Sequence, residues 1–163
     1  MSQLKFYFFD TSAIIKMVLD EPGSEKVNNI LSSMDSQVFT SWILLSEALG
    51  VLKRKFLDKE LCVHDYQNLV KKLFRFIEDR SLRPVDIVVE NEEAILQTNT
   101  FDIVQLSKKY PHLDAADVAQ FAAIQNSFLK WFKVKNGIKL VTADKKLAQA
   151  AKSEKIDVYK VNS

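Results

Sequence analysis

Residues 4–19 read LKFYFFDTSAIIKMVL, and this stretch decides the fold. Phe6 to Phe9 is a short, aromatic-rich apolar run that stops abruptly at Asp10, the pattern of a buried strand. Thr11 and Ser12 offer an N-cap, and Ala13, Ile14, Ile15, Met17, Val18 and Leu19 then read as the start of a helix. An acid therefore stands where a buried strand hands over to a helix N-terminus. In open α/β sheets ligands bind outside the carboxyl ends of the strands. The question for the remaining chain is whether it brings further acids to that point.

Working outward, strands and helices alternate. Asp20-Glu21-Pro22-Gly23 is a turn, and Ser24 can cap a helix from Glu25 to about Ser33. Gln37 to Thr40 is a short strand. Ser41 caps the next helix, Trp42 to about Leu57 (WILLSEALGVLKRKFL), which is apolar on several faces and reads as buried. Asp58 to Arg80 has an amphipathic helical pattern, with Leu61, Val63, Tyr66, Leu69, Val70, Leu73, Phe74 and Ile77 on one stripe. Pro84 opens a strand over Val85 to Val89, and Glu92 to about Lys109 is a helix ended by Tyr110-Pro111-His112. Asp114 to about Leu129 is an alanine-rich helix. A basic loop from Lys130 to Gly137 leads to a strand at Lys139 to Val141, a helix from Asp144 to about Lys152, and a last strand at Val158 to Val161. Such alternation predicts a parallel sheet covered on both faces, a three-layer α/β/α sandwich of four or five strands.

Composition narrows the class. At 163 residues the expectation is one domain, 1–163, with a proper core. Cys62 is the only cysteine, so an internal disulfide and a cysteine-based metal site are both excluded, which suits a reducing cytoplasm. No apolar run reaches the length of a membrane span, and no signal peptide opens the chain, so no membrane association is expected. The net charge of +2 says little about partners, but Lys and Arg recur in clusters.

Most of the 21 acids lie in polar stretches beside lysines, where a solvated face explains them. Four do not. Asp10 ends a buried strand, Asp144 follows the strand-like LVT, Glu47 sits within LLSEALGVL, and Asp117 within AADVA. A buried carboxylate is costly unless it is paired or holds a metal. No Lys or Arg stands within four residues of Glu47 or Asp117. Each acid alone has a plainer reading: Asp144 can cap the last helix, Asp10 can form an Asx-turn, Glu47 can pair with a distant Arg, and Asp117 can favour its helix dipole, as Asp114 can. Two strand-end acids and two acids on apolar helices together point to convergence, and converging carboxylates call for a cation. Oxygen-only ligands select Mg²⁺ or Mn²⁺, and the two histidines, His64 and His112, are too few for zinc and lie near helix starts as surface residues.

These residues carry a family likeness. FFDTSAIIKMVLDEPGSE, the mid-helix Glu47 in SEALGVL, Asp117 in DVAQFAA, and LVTADKKLAQAA, in that order, resemble the PIN-domain ribonucleases, most closely the VapC type of toxin–antitoxin systems. The resemblance covers nearly the whole chain, although the segment from about Asp58 to His112 is longer than a minimal toxin needs. It implies Asp10, Glu47 and Asp117 as metal-binding acids, Asp144 as a supporting fourth, and a hydroxyl from Ser12 or Thr142 nearby. It also implies a homodimer and a cognate antitoxin protein. Asp114 competes with Asp117 for the third-acid position; the alanine-rich pattern that follows Asp117 favours it.

The chemistry expected is metal-assisted hydrolysis of phosphodiester bonds in single-stranded RNA. Lys53, Arg54, Lys145 and Lys146 are candidates for the RNA backbone, among basic residues that also include Lys55, Lys71, Lys72 and Arg75, and Trp131 for stacking a base. Two rivals remain. Aspartyl-phosphate phosphatases also begin with a strand-end Asp but want a second Asp two residues on, where this chain has Ser12. A non-catalytic RNA- or partner-binding module, or a housekeeping RNA-processing nuclease, is the other.

Overall fold

A computed structural model describes residues 4–85, 103–125 and 137–161. Five strands form one sheet: β1 (Lys5–Phe9), β2 (Ser36–Ser41), β3 (Arg83–Val85), β4 (Ile138–Thr142) and β5 (Asp157–Lys160). Their order is β3-β2-β1-β4-β5 and every pairing is parallel. The helices are α1 (Thr11–Val18), α2 (Ser24–Ser32), α3 (Trp42–Leu57), α4 (Val63–Glu78), α5 (103–109), α6 (Ala115–Gln125) and α7 (Lys145–Ser153). The expected α/β/α sandwich with a parallel sheet is the architecture found, with five strands.

The strand order places the site. From β1 the chain steps outward to β2 and β3, then returns to the other side of β1 for β4 and β5. The switch of direction therefore lies between β1 and β4, and a crevice opens at their carboxyl ends. Phe8 pairs in register with Phe39 on one side and Leu140 on the other. Phe8, Phe9, Ile14, Phe121 and Leu140 are fully buried in the core beneath this crevice. Burying each such side chain contributes roughly 1.5–3 kcal/mol. Helix α1 packs on α2, α3 and α4, α3 also packs on α6, and α7 packs on β4 and β5. Right-handed crossovers put helices on opposite faces when the direction of stepping reverses, as it does after β3.

Several boundaries differ from the sequence reading. Asp10 itself, rather than Thr11 or Ser12, is the N-cap of α1: its backbone is extended and its side chain accepts from Ala13 N. Ser24 is the first residue of α2, not its cap; the N-cap is Gly23, whose φ of 95° is the left-handed region that glycine tolerates. Ser24 Oγ instead donates to Leu19 O and accepts from Glu21 N, closing the turn. Helix α4 starts at Val63 with Cys62 as its cap, because Lys59 turns the chain with a φ of 62° after α3 ends. β3 spans Arg83–Val85 rather than starting at Val85, and the residues expected to continue it, with most of the helix expected from Glu92, lie outside the described residues. Helix α3 is not buried all round: Trp42 is 50% and Leu57 63% exposed. On α4 only Leu73 is fully buried; Tyr66, Leu69, Val70, Phe76 and Ile77 pack partly, while Val63 and Phe74 are exposed. Among the described residues no helix is long and apolar enough to cross a membrane.

Candidate metal centre

Asp10 is the most fixed of the acids, 4% exposed at the end of β1. Its Oδ1 accepts from Ala13 N at 2.8 Å and from Ser12 Oγ at 2.7 Å. Its Oδ2 accepts from Thr142 Oγ1 at the end of β4. Both hydroxyls are in turn acceptors: Ser12 Oγ from Ala143 N at 2.8 Å, and Thr142 Oγ1 from Asp144 N at 2.9 Å. The two expected hydroxyls thus stitch the β1 and β4 ends together and hold one carboxylate between them. Burial nevertheless pushes Asp10 up to about 6, against the lowering effect of Thr142, Ala13 and Ser12, with Asp144 adding repulsion.

Glu47 arrives on α3, half-buried, and its Oε2 accepts from Thr11 Oγ1. Asp117 arrives in the first turn of α6, also half-buried, where its Oδ1 accepts from Gln120 Nε2 at 3.0 Å. Burial, then repulsion from Asp114, Asp144, Asp10 and Glu47 in that order, raises Asp117 to about 7. Asp114 is exposed and caps α6, its Oδ1 accepting from Asp117 N at 2.9 Å. Asp144 is exposed and caps α7, its Oδ1 accepting from Lys146 N and Leu147 N. Capping and convergence hold together for Asp144, because the same residue also lines the site.

One open pocket of about 350 Å³ is lined by Asp10, Glu47, Asp114, Asp117 and Asp144, with Thr11, Ser12, Ile15, Lys16, Glu21, Val51 and Lys55. All four expected acids, and the competing Asp114, therefore share one wall-to-wall space at the carboxyl end of the sheet. Six carboxylates meet two lysines there. Lys55 is bound to Glu60 at 2.8 Å and Lys16 to Glu21 at 3.4 Å. Among the described residues no three acid, His or Cys groups are drawn into a ready-made ion cage. The donor set is nonetheless of one kind, carboxylate oxygens, and its charge is under-compensated, which is what a hard divalent cation fits.

Three lining or supporting residues were not expected from the sequence in that role: Thr11, Gln120 and Lys16. Thr11 was read only as a possible cap, yet it holds Glu47. Gln120 is 1% exposed and orients Asp117, while its Oε1 has no partner among the described residues. Lys16 is a lysine inside the apolar AIIKMVL, a signal of the same kind as Glu47. Lys55, one of the basic residues expected to face the RNA backbone, does line the pocket, on the same face of α3 as Glu47 and Val51.

The expected RNA contacts are scattered. Lys145 and Lys146 are exposed beside Asp144. Lys53 and Arg54 are exposed on α3, but Lys53 Nζ lies over the rings of Phe56 and Tyr66. Lys72 Nζ donates to Val18 O, a clasp between α4 and α1. Trp131 lies outside the described residues.

The sequence profile of the PIN domain family matches residues 7–153. The chain belongs to the PIN domain family. That makes it a member of a nuclease family, and the matched span carries every acid described above. Among solved structures the fold is similar to a chain in the crystal structure of VapBC2 from Rickettsia felis bound to a DNA fragment from their promoter. The TM-score is 0.61 at 14% identity, covering 95% of this chain and 98% of that one. No curated protein matches the sequence.

Proposed function

We propose that this PIN-domain protein is a metal-dependent endoribonuclease that hydrolyses phosphodiester bonds in single-stranded RNA and serves as the VapC-type toxin of a toxin–antitoxin pair. The observation that carries the reading is convergence: acids from the end of β1, from α3, from α6 and from the loop after β4 line one pocket. In this reading Asp10, Glu47, Asp117 and Asp144 hold Mg²⁺ or Mn²⁺, with Asp114 close enough to support them. A divalent ion held there lowers the pKa of a bound water and neutralises charge on the phosphate. Ser12 and Thr142 keep the Asp10 carboxylate aimed and ionisable, since their donated hydrogen bonds oppose the effect of its burial. Thr11 does the same positioning for Glu47, and Gln120 for Asp117. In this reading Lys145 and Lys146, exposed beside Asp144, contact the backbone of the bound strand.

The partner in this reading is a cognate antitoxin protein, supported by the similarity of the fold to a chain of the VapBC2 structure, and the proposed setting is the cytoplasm. The half-packed stripe of α4, with Val63 and Phe74 exposed, supports a homodimer. Light scattering at micromolar concentration that gave a mass of 18.7 kDa would refute the dimer.

The deciding experiment is cleavage of single-stranded RNA by EDTA-stripped protein with Mg²⁺ or Mn²⁺ added back. Wild type cuts only with metal, and Asp10→Asn or Glu47→Gln abolishes cutting with the fold intact. Metal-independent cleavage, or full activity in either variant, would overturn the reading. A non-catalytic RNA-binding module would bind the strand and leave it whole.

A further inference from the structure

Lys16 has no part in the chemistry above, although its position is unusual. It interrupts an apolar helix, and its side chain is only 6% exposed. It lines the same pocket as Asp10, Glu47 and Asp117. An ammonium carries three N–H donors and rarely goes under cover without using them. Among the described residues its one polar contact is Glu21 Oε2 at 3.4 Å. Charge-assisted N–H···O⁻ bonds usually close to about 2.7–2.9 Å, so this pair is loose. Glu21 is itself about one-third exposed on the pocket wall. The other lining lysine, Lys55, is committed at 2.8 Å to Glu60, which lies outside the pocket.

The acids do not claim Lys16 either. Among the described residues no ion pair joins Lys16 to Asp10, Glu47, Asp117 or Asp144; its partner is Glu21. The pocket thus has an acidic side with surplus negative charge and, on α1, a buried cation with donors to spare. A group that suits both sides at once is an anion whose own charge is partly met by a metal: a phosphodiester.

We infer that Lys16 is a phosphate-binding residue of this pocket, donating to a non-bridging oxygen of the RNA backbone, with Glu21 as the tether that keeps the ammonium in place until RNA arrives. The inference rests on the pocket being a nuclease site. Lysine suits the task as a compact charge on a flexible stem that can exchange one loose carboxylate contact for a phosphate. The plainer alternative is a structural Lys16–Glu21 pair with no role toward RNA.

Fluorescence anisotropy with a short labelled oligouridylate separates the two, in Ca²⁺ to hold back cleavage and across a KCl series. Lys16→Gln weakens binding about tenfold, the scale of one charge-assisted contact. It also flattens the slope of log K against log[KCl] by about 0.7, the loss of one phosphate contact on a single strand. Lys16→Arg retains the slope. Glu21→Gln removes the competing carboxylate and tightens binding. The Mn²⁺-induced rise in Tm is read on the wild type, and a wild type without that rise sinks the metal-site reading and the lysine inference together, whereas a rise with an unaltered slope in Lys16→Gln sinks the lysine inference alone. An unaltered slope in Lys16→Gln overturns the inference, as does weakened binding in Glu21→Gln, which marks the pair as a structural unit. If Lys16→Gln does not fold, Lys16→Arg and Glu21→Gln decide. A wild type that binds no oligouridylate at any salt also overturns it, because a backbone contact does not depend on sequence.

Discussion

Replacing Asp117 by Asn should stabilise the metal-free protein at pH 8 and leave its stability nearly unchanged near pH 4. Asp117 is raised from 3.8 to about 7. A carboxyl held higher in the folded state binds its proton more tightly there than in the unfolded chain. The penalty is therefore absent below the unfolded value, grows as pH rises from about 4 to about 7, and is complete above the folded value. At about 1.36 kcal/mol per pKa unit the full rise corresponds to roughly 4 kcal/mol. Asp117 is only half-buried and solvent screens its neighbours, so a gain of roughly 1–2 kcal/mol is the realistic expectation. The amide is nearly isosteric: its Oδ1 can still accept from Gln120 Nε2, and the backbone N–H still donates to Asp114. Urea denaturation in EDTA reads the effect. With an m-value of about 1–3 kcal/mol/M, the midpoint at pH 8 should rise by roughly 0.5–1 M. The same variant should lose its response to Mn²⁺. A loss of about 3–5 kcal/mol at pH 8, the cost of amputating one partner of a buried ion pair, would refute the reasoning. So would a difference that does not vary with pH.

Two further outcomes follow from the same geometry. Mn²⁺ added to EDTA-stripped wild type should raise Tm, since binding only the folded state contributes about 2.7 kcal/mol at 100 times Kd, and a Tm unmoved at millimolar Mn²⁺ would count against the site. Thr142→Val removes a buried donor to Asp10 and strands the N–H of Asp144, so it should cost about 1–3 kcal/mol and move Asp10 above about 6. The Mn²⁺-dependent Tm rise, followed against pH, should then set in at higher pH than in wild type; an unshifted onset would show that Thr142 does not hold Asp10.

What the sequence made legible was whatever violates a local pattern. Asp10 ends an aromatic run, Glu47 interrupts LLSEALGVL, and Asp117 stands among alanines; each is a charge where burial is otherwise expected, and each lines the pocket. Parallel topology was legible because helices and strands alternate. What stayed hidden depends on partners distant in the chain or on backbone geometry with weak side-chain signals. Ser12 meets Ala143 across 131 positions, and Thr142 meets Asp10 across 132. Ser12 donates to Asp10 from two positions away, but nothing local reveals that Thr142 donates to the same carboxylate or that Ala143 N donates to Ser12. The end of α3 at Leu57 was legible, but the start of α4 was placed too early, because Asp58 to Cys62 suits a helix by composition while the turn there rests on Lys59 in a left-handed conformation. Lys16 was passed over because a lysine among apolar residues usually reaches solvent along its stem; here it stays inside the pocket.

The site is held with unequal stiffness, and that inequality bears on how it works. Asp10 is fixed by donors from Ala13, Ser12 and Thr142, and the strands beneath it are bonded into the sheet on both sides. Asp144 is fixed by two backbone N–H groups of α7. Glu47 and Asp117 come from helices instead, and each has a single side-chain tether, Thr11 and Gln120. The carboxyl end of the central strands is thus the rigid half of the pocket, and α3 and α6, which pack on each other, are the more loosely tethered half. A divalent ion at this site would be held by Asp10, Glu47, Asp117 and Asp144 and would offset their mutual repulsion. In the proposed function Asp10 and Asp144 would be the fixed ligands, and Glu47 and Asp117 the ones whose placement depends on the packing of α3 against α6. A substitution in the α3–α6 contact should therefore weaken Mn²⁺ binding without disturbing the sheet, whereas one at Ser12 or Thr142 should disturb both.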